Sequence, residues 1–225
     1  MGWYSAVGRP LLLALPPETS HGIARAALAL PLPWRRLGHP AEDPRLTTML
    51  AGIALRNPIG LAAGFDKTCA HLDALGELGF GYVVGGTITR HPRAGNRRPR
   101  IVRYPSRGSM VNAMGLPNPG ADRAAAIMAR RARTDVPRFA SLADEAVEEC
   151  VETLALLEPH ADGFELNASC PNVSWGRDRD NEAHLQGLLG RIRAHTHKPV
   201  FVKLPPFTSE PEWNRSWRCG PKRRS

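Results

Sequence analysis

The chain has 225 residues, enough for one large domain with a substantial core. Its 30 lysines and arginines against 21 acidic residues give a net charge of +9, but these basic residues form no stripe with interleaved aromatics, and aromatics are only 6% of the chain. The balance argues against a nucleic-acid recognition module; an anionic membrane surface fits at least as well, and a general richness in arginine with no partner behind it is the equal alternative.

Residues 1–38 read as a unit of their own. "YSAVGRPLLLAL" and "ETSHGIARAALAL" each have the spacing of a short helix, separated by Pro16-Pro17, and the second ends at "PLPW". Glu18, Thr19 and Ser20 are first-turn and N-cap candidates. Leu11, Leu12, Leu13 and Leu15, then Ile23, Ala27, Leu28 and Leu30, supply apolar faces. Arg9, Arg25, Arg35 and Arg36, with Trp3, Tyr4 and Trp34, suit a helix pair lying at headgroup level. The plainer alternative is a helical hairpin packed on the domain. The apolar run from Pro10 to Leu15 is far too short to span a bilayer, and the absence of a strong basic flank and a small-residue cleavage site argues against a signal peptide.

From residue 50 the pattern alternates between strand and helix. Strand-like runs cover 52–64, 81–89, 138–142, 163–169 and 199–205. Helical runs lie between them: "CAHLDALGELG", "ADRAAAIMARRA", "ADEAVEECVETLALLEP" and "AHLQGLLGRIRAH". Near-continuous apolar strands joined by helical crossovers predict an α/β fold with a parallel sheet. Five strands fall short of the eight in a closed (β/α)₈ barrel, so the expectation is an incomplete TIM barrel with an N-terminal helical extension. After "KLPPF" the apolar periodicity stops. Residues 208–225 are expected to be an aberrant basic tail, disordered rather than packed.

The four cysteines, Cys69, Cys150, Cys170 and Cys219, form no CxxC pair. That argues against a metal site or a disulfide framework and suits a reducing cytoplasm.

Chemistry collects at the strand ends. The first strand run ends in Ala62, Ala63 and Gly64, with Lys67 three residues on; the second ends in Gly86 and Thr87. "NAMGLPNPG" adds Asn112 and Asn118, "NASCPN" adds Asn167, Cys170 and Asn172, and the fifth run carries Lys203. Small residues let a planar ligand lie against backbone. Asparagine amides both donate and accept, which matches a ring alternating N–H and C=O, such as a pyrimidine dione. Two lysines beside flat glycine surfaces suit a flavin.

Five ordered motifs, "NPIGLAAGFDK", "GTITRHPRAGNRRPRIVRYP", "NAMGLPNPG", "NASCPN" and "VKLPP", resemble those of dihydroorotate dehydrogenases, FMN-containing TIM barrels of pyrimidine biosynthesis. The resemblance covers about residues 8–207. "RPLLLALPPETSHGIARAALAL" resembles the two-helix extension of the membrane-associated, quinone-using class. It implies three units: a membrane-associated extension over 1–40, a partial FMN-binding barrel over 41–207, and the tail. It also implies oxidation of dihydroorotate to orotate, electrons passing to quinone, and a peripheral place on the cytoplasmic face of the cell membrane.

The same resemblance implies residue roles. Cys170 is the base, Lys67, Asn112, Asn167 and Asn172 hold the substrate, and Ala62, Ala63, Gly64, Lys67, Gly86, Thr87, Asn167 and Lys203 hold FMN. A thiol, with a reference pKa near ~8.5, is a better base at neutral pH than a serine hydroxyl. Cys170 and Leu116 depart from the quinone class, which usually has serine and phenylalanine there. Ser141 stands near where that class often places an asparagine on the flavin. The wording of these loops is that of the soluble class, so the chain reads as a mosaic. The family's sixth to eighth strands have no counterpart in the sequence. Alternative readings are a truncated, noncatalytic remnant, or a soluble-type dehydrogenase using fumarate or NAD.

Overall fold

The computed structural model describes residues 4–38, 43–131, 134–169 and 182–205. A π-helical turn at Tyr4–Gly8 runs into α1 (Arg9–Ala14), followed by α2 (Pro17–Leu28) and a short α3 (Trp34–Gly38) that the sequence pattern did not suggest. The expected caps of α2 do not form. Pro16 occupies the cap position and Pro17 the first turn, where no N–H is needed. Ser20 instead donates from Oγ to the Leu12 carbonyl at 2.6 Å and the Pro16 carbonyl at 3.1 Å, joining α1 to α2.

The run expected as one strand over 52–64 is two. β1 (Thr48–Leu50) and β2 (Ile53–Leu55) form a small antiparallel hairpin. Its two turn residues, Ala51 and Gly52, both have positive φ, as a tight two-residue turn requires. Pairing then breaks at Asn57-Pro58. Proline has no N–H to give, and the Asn57 amide accepts from Ile59 N at 3.0 Å and donates to Gly79 O at 2.9 Å. Only β3 (Gly60–Leu61) reaches the main sheet. The helix expected from residue 69 starts later, as α4 (Leu72–Glu77), because the Asp66 carboxylate accepts from Thr68 N and His71 N and holds 66–71 as a loop.

The remaining elements are β4 (Tyr82–Ile88), β5 (Ile101–Tyr104), β6 (Ser109–Asn112), α5 (Ala121–Ala129), β7 (Arg138–Leu142), α6 (Val147–Leu157), β8 (Gly163–Asn167), α7 (Glu182–His195) and β9 (Val200–Lys203). β5 and β6 form an antiparallel ribbon not anticipated from the sequence. The main sheet has the order β3-β4-β7-β8-β9, every neighbouring pair parallel, and curls into a half-barrel. The five strands and intervening helices read from the apolar runs are therefore present. Residues 208–225 lie outside the described residues.

The sheet has two unlike faces. Val83, Ile88, Leu142, Phe164 and Leu166, each at most 1% exposed, pack against the helices. On the concave face the Phe139 ring lies 5.5 Å from Tyr82 and 5.3 Å from Phe201. The β8 residue level with Phe139 is Gly163, where an added Cβ would meet the Phe139 ring at 3.2 Å. Its missing side chain leaves room for that aromatic row. Further along β8 on this same face come Glu165 and then Asn167.

Cys69 and Cys150 are core residues. Burial pushes both thiols up, Cys150 to about 12, so neither has thiolate character at neutral pH. Among the described residues no helix is long and apolar enough to cross a membrane.

Asp144, buried just after β7, accepts from Arg90 N at 2.8 Å and from Thr153. Burial raises its carboxyl from 3.8 to about 6, with Glu149 adding repulsion and the Arg90 amide, Arg93 and Thr153 opposing. The folded state thus holds this proton more tightly than the unfolded chain. The stability it contributes is complete below the ordinary carboxylate range and is lost as pH rises through about 6. Asp144→Asn should flatten this slope, as measured by denaturant unfolding at a series of pH values.

Candidate functional site

The site begins with a fault in β4. The register against β7 shifts between Gly85 and Ile88. By simple alternation Thr87 would face the helices with Val83 and Gly85; the shift turns it to the concave side, as bulges beside sites do. Gly86 sits here at φ 108°, and a Cβ on it would meet the Ser141 carbonyl at 2.7 Å. Only glycine fits.

Thr87 then joins three strand ends. Its Oγ1 lies 3.0 Å from Ser141 Oγ on β7 and accepts from Asn167 Nδ2 on β8 at 2.9 Å. Asn167 Oδ1 in turn accepts from Ser169 Oγ at 2.9 Å. All but Ser169 are buried.

A cavity of about 990 Å³ opens over these strand ends. Ala63, Gly64, Lys67, Gly86, Thr87, Asn112, Asn167 and Lys203, which the sequence scattered over 140 positions, all line it. Ala62 is exposed and does not. Cys170 and Asn172 lie outside the described residues; Ser169, immediately before Cys170, lines the cavity. Asn118, also a candidate ligand on sequence, spends its amide on its own loop. It donates to Thr89 Oγ1 and Leu116 O and accepts from Thr89 N and Gly120 N.

The ribbon and the helix pair form the rest of the wall, which sequence reasoning missed. The β5–β6 register pairs Ile101 with Asn112 and Arg103 with Met110, and all four line the cavity. Arg103 Nη1 also reaches the carbonyls of Leu12 at 3.2 Å, Leu13 at 3.3 Å and Leu15 at 3.0 Å. These end-of-helix carbonyls have no partner within α1, and a cation there is favoured. Glu18 is gripped by Arg100, Nε to Oε1 at 3.1 Å and Nη2 to Oε2 at 3.0 Å, with Arg98 Nε at 3.0 Å. His21 Nε2 lies 2.7 Å from Phe65 O, and Arg25 donates to Thr68 Oγ1 at 3.1 Å. Arg25 therefore faces the protein and does not serve as a headgroup tether.

The electrostatics follow from this crowding. Burial lowers the Lys67 ammonium pKa below its ordinary value, and Arg25 and Arg100 lower it further. Its Nζ donates to the Gly64 carbonyl. Burial also lowers His21, keeping the ring neutral as pH falls toward its ordinary range. The hydrogen bond from Arg100 is the chief cause of a lowered Glu18 carboxyl. Among the described residues no cluster of histidine, cysteine and carboxylate side chains is suited to a metal.

The family model for dihydroorotate dehydrogenase matches residues 45–215. A dihydroorotate dehydrogenase (quinone) of Thermus thermophilus is 38% identical over 217 residues, covering 88% of this chain and 62% of the relative. One of Bordetella pertussis is 36% identical over 225 residues, covering 91% and 64%. The chain thus spans less than two thirds of the length of these relatives. Among solved structures, DHODH of Eimeria tenella in complex with ferulenol has a TM-score of 0.75 at 25% identity, covering 87% of this chain and 61% of that one. The ligand-free form of that protein has a TM-score of 0.76 at 24% identity.

The Glu18 grip fixes the helix pair to the rest of the wall. Because its carboxyl is lowered in the folded state, its contribution is present above pH 4.5 and is lost as pH falls through the folded value. Glu18→Gln should cost about 1 kcal/mol at neutral pH and nothing in acid. Denaturation midpoints at the two pH values check this, and faster tryptic cleavage after Arg25 should accompany it.

Proposed function

The chain belongs to the dihydroorotate dehydrogenase family, and from that premise we propose that its cavity is built to oxidise dihydroorotate to orotate with FMN, the electrons leaving to a quinone. One observation carries the reading: a single cavity joins two chemistries. Its strand-end side offers Lys67, Thr87, Asn167 and Lys203, faced by Asn112 at the end of the ribbon; the side between helices and ribbon offers Leu12, Leu13, Pro17, Ala24, Ile101 and Met110. The first suits a polar heterocycle, the second an apolar electron acceptor. That second side also carries Arg9, His21 and Arg103, the last of them engaged with the carbonyls ending α1, and these arginines are what a charged acceptor such as fumarate would use on the alternative reading.

FMN suits the residues present. Gly64 lies at φ 112° with open space where a Cβ would stand, and with Ala63 and Gly86 it leaves backbone bare for a flat ring. Lys67 and Lys203 supply the cations that favour an electron-rich ring. When bound, FMN supplies the two-electron acceptor. The chain's own residues do the rest. The amides of Asn112 and Asn167 each donate and accept and orient the substrate ring. Asn172, by its place in the motif, adds a third amide. Cys170, following the cavity residue Ser169, takes the proton from the carbon beside the substrate carbonyl, while the hydride leaves the neighbouring carbon.

The extension over 1–40 serves, on this reading, as the membrane-facing unit of a peripheral protein at the cytoplasmic face. Leu11, Leu13, Ile23, Leu30 and Leu37 are exposed on it, although nothing about folding requires exposed leucines in such number.

Two measurements test these statements. The purified 225-residue chain should bind FMN, seen in its visible spectrum, and reduce a dye with dihydroorotate; Cys170→Ala should lower turnover by at least ~10²-fold. FMN binding without turnover would favour the noncatalytic reading, and no binding would remove the flavin assignment. Replacing Leu11 and Leu13 with serine should shift the protein from the pellet to the supernatant in vesicle sedimentation. Unchanged partitioning would leave the helix pair a packing hairpin only.

A further inference from the structure

Ser141 is a hydroxyl in a strand otherwise apolar from Phe139 to Leu142, and it is fully buried. Such a group is costly unless hydrogen-bonded. It does not line the cavity, so what it does there passes through its neighbours. Its hydroxyl meets Thr87, which meets Asn167, which meets Ser169. We propose that Ser141 is a positioning residue that acts through the Thr87 hydroxyl to set the Asn167 amide and to free the Thr87 proton for a ligand acceptor.

A hydroxyl has one proton and two acceptor sites; a side-chain amide has two N–H groups and an oxygen with two sites. Asn167 is held at both ends: its nitrogen gives one proton to Thr87 and its oxygen receives one from Ser169. Turning the amide over would require both hydroxyls to reverse, Thr87 then donating and Ser169 accepting, so a Thr87 that donates elsewhere or receives from Ser141 while serving a ligand holds the amide as it stands. One N–H and one oxygen site remain for whatever enters the cavity.

Thr87 already accepts from Asn167, and its bond to Ser141 runs either way. When Thr87 donates to Ser141, the cavity receives no proton from it. When Ser141 donates to Thr87, both acceptor sites of Thr87 are filled and its proton is released. A ligand acceptor beside Thr87 selects the second arrangement without breaking either bond. Alanine at 141 removes this choice and leaves Thr87 free to rotate, and the amide of Asn167 loses the fixed acceptor that holds it.

The relay stands on the hydrogen bonds alone; only the identity of the ligand, a flavin, rests on the proposed function. The test uses the full 225-residue chain with ¹⁵N-labelled asparagine, the Asn167 side-chain signals being identified by their loss in Asn167→Asp. Hydrogen exchange of those side-chain protons reads the relay, and FMN titration by fluorescence quenching reads its consequence. In Ser141→Ala, exchange should be about tenfold faster and FMN binding about tenfold weaker. Ser141→Cys, a weak donor, should fall between. Thr87→Val, which keeps the shape, should reproduce Ser141→Ala, and Thr87→Ser should restore the parent behaviour. Parent-like exchange in Ser141→Ala or Thr87→Val would overturn the proposal. If circular dichroism shows Ser141→Ala unfolded, the Thr87 pair decides the question. If the parent chain binds no FMN, the flavin assignment fails and the exchange data still decide the relay.

Discussion

The cavity exists because β4 breaks step at Gly86 and Thr87. A regular strand would send Thr87 toward the helices, where its hydroxyl would meet the apolar core around Leu72 and Ile88. The shift brings it to the concave face, and the three strands β4, β7 and β8 then share one line of hydrogen bonds. Ser141 and Asn167 are tolerable in buried positions because Thr87 is there to receive them. Glycine at 86 is the condition for all of it, since the β7 carbonyl stands where a side chain would go.

The opposite wall follows a different principle. Its helices are short, and α1 buries no residue of its own. What holds it are charges on the ribbon and the loop before it: Arg103 on the carbonyls ending α1, and Arg100 on Glu18 at the start of α2. Polar attachment of an apolar element leaves its leucines available to something else. The ribbon contributes in the same divided way. Its inward residues line the cavity, while Val102 and Val111, paired across the strands, remain exposed.

The sheet was legible in the sequence because its strands are apolar on both faces and its helices are punctuated by glycine and proline. The first run misled because alternation cannot register that Asn57 would turn its amide on the backbone beside Pro58. The ribbon was missed for the opposite reason. Ile101 to Asn112 mixes exposed valines with arginines, and its one readable mark was Gly108, which closes the turn at φ 56°. The candidate site was legible as a set of residue types at strand ends. Lys67, Asn112, Asn167 and Lys203 converge as expected, whereas Asn118 does not, because nothing in its letter distinguishes a ligand amide from a loop amide. Ser141 carried the subtler signal, a lone hydroxyl inside an apolar strand.

The order of the main sheet, β3-β4-β7-β8-β9, follows the order of the chain without a single exchange. Each strand finds its partner already laid down, and none waits for a later one to separate it from its neighbour. A chain leaving the ribosome can therefore lay down this sheet by accretion, each βα unit closing a loop only as long as one crossover. Among the described residues the ribbon is the one strand pair inserted in that sequence, and it pairs within itself before β7 is made. The buried hydroxyl line waits for β8, the strand before last. Until β8 emerges, Thr87 has no amide to receive, and the nascent half-barrel carries its future site as wetted, unmatched polar groups on an open rim.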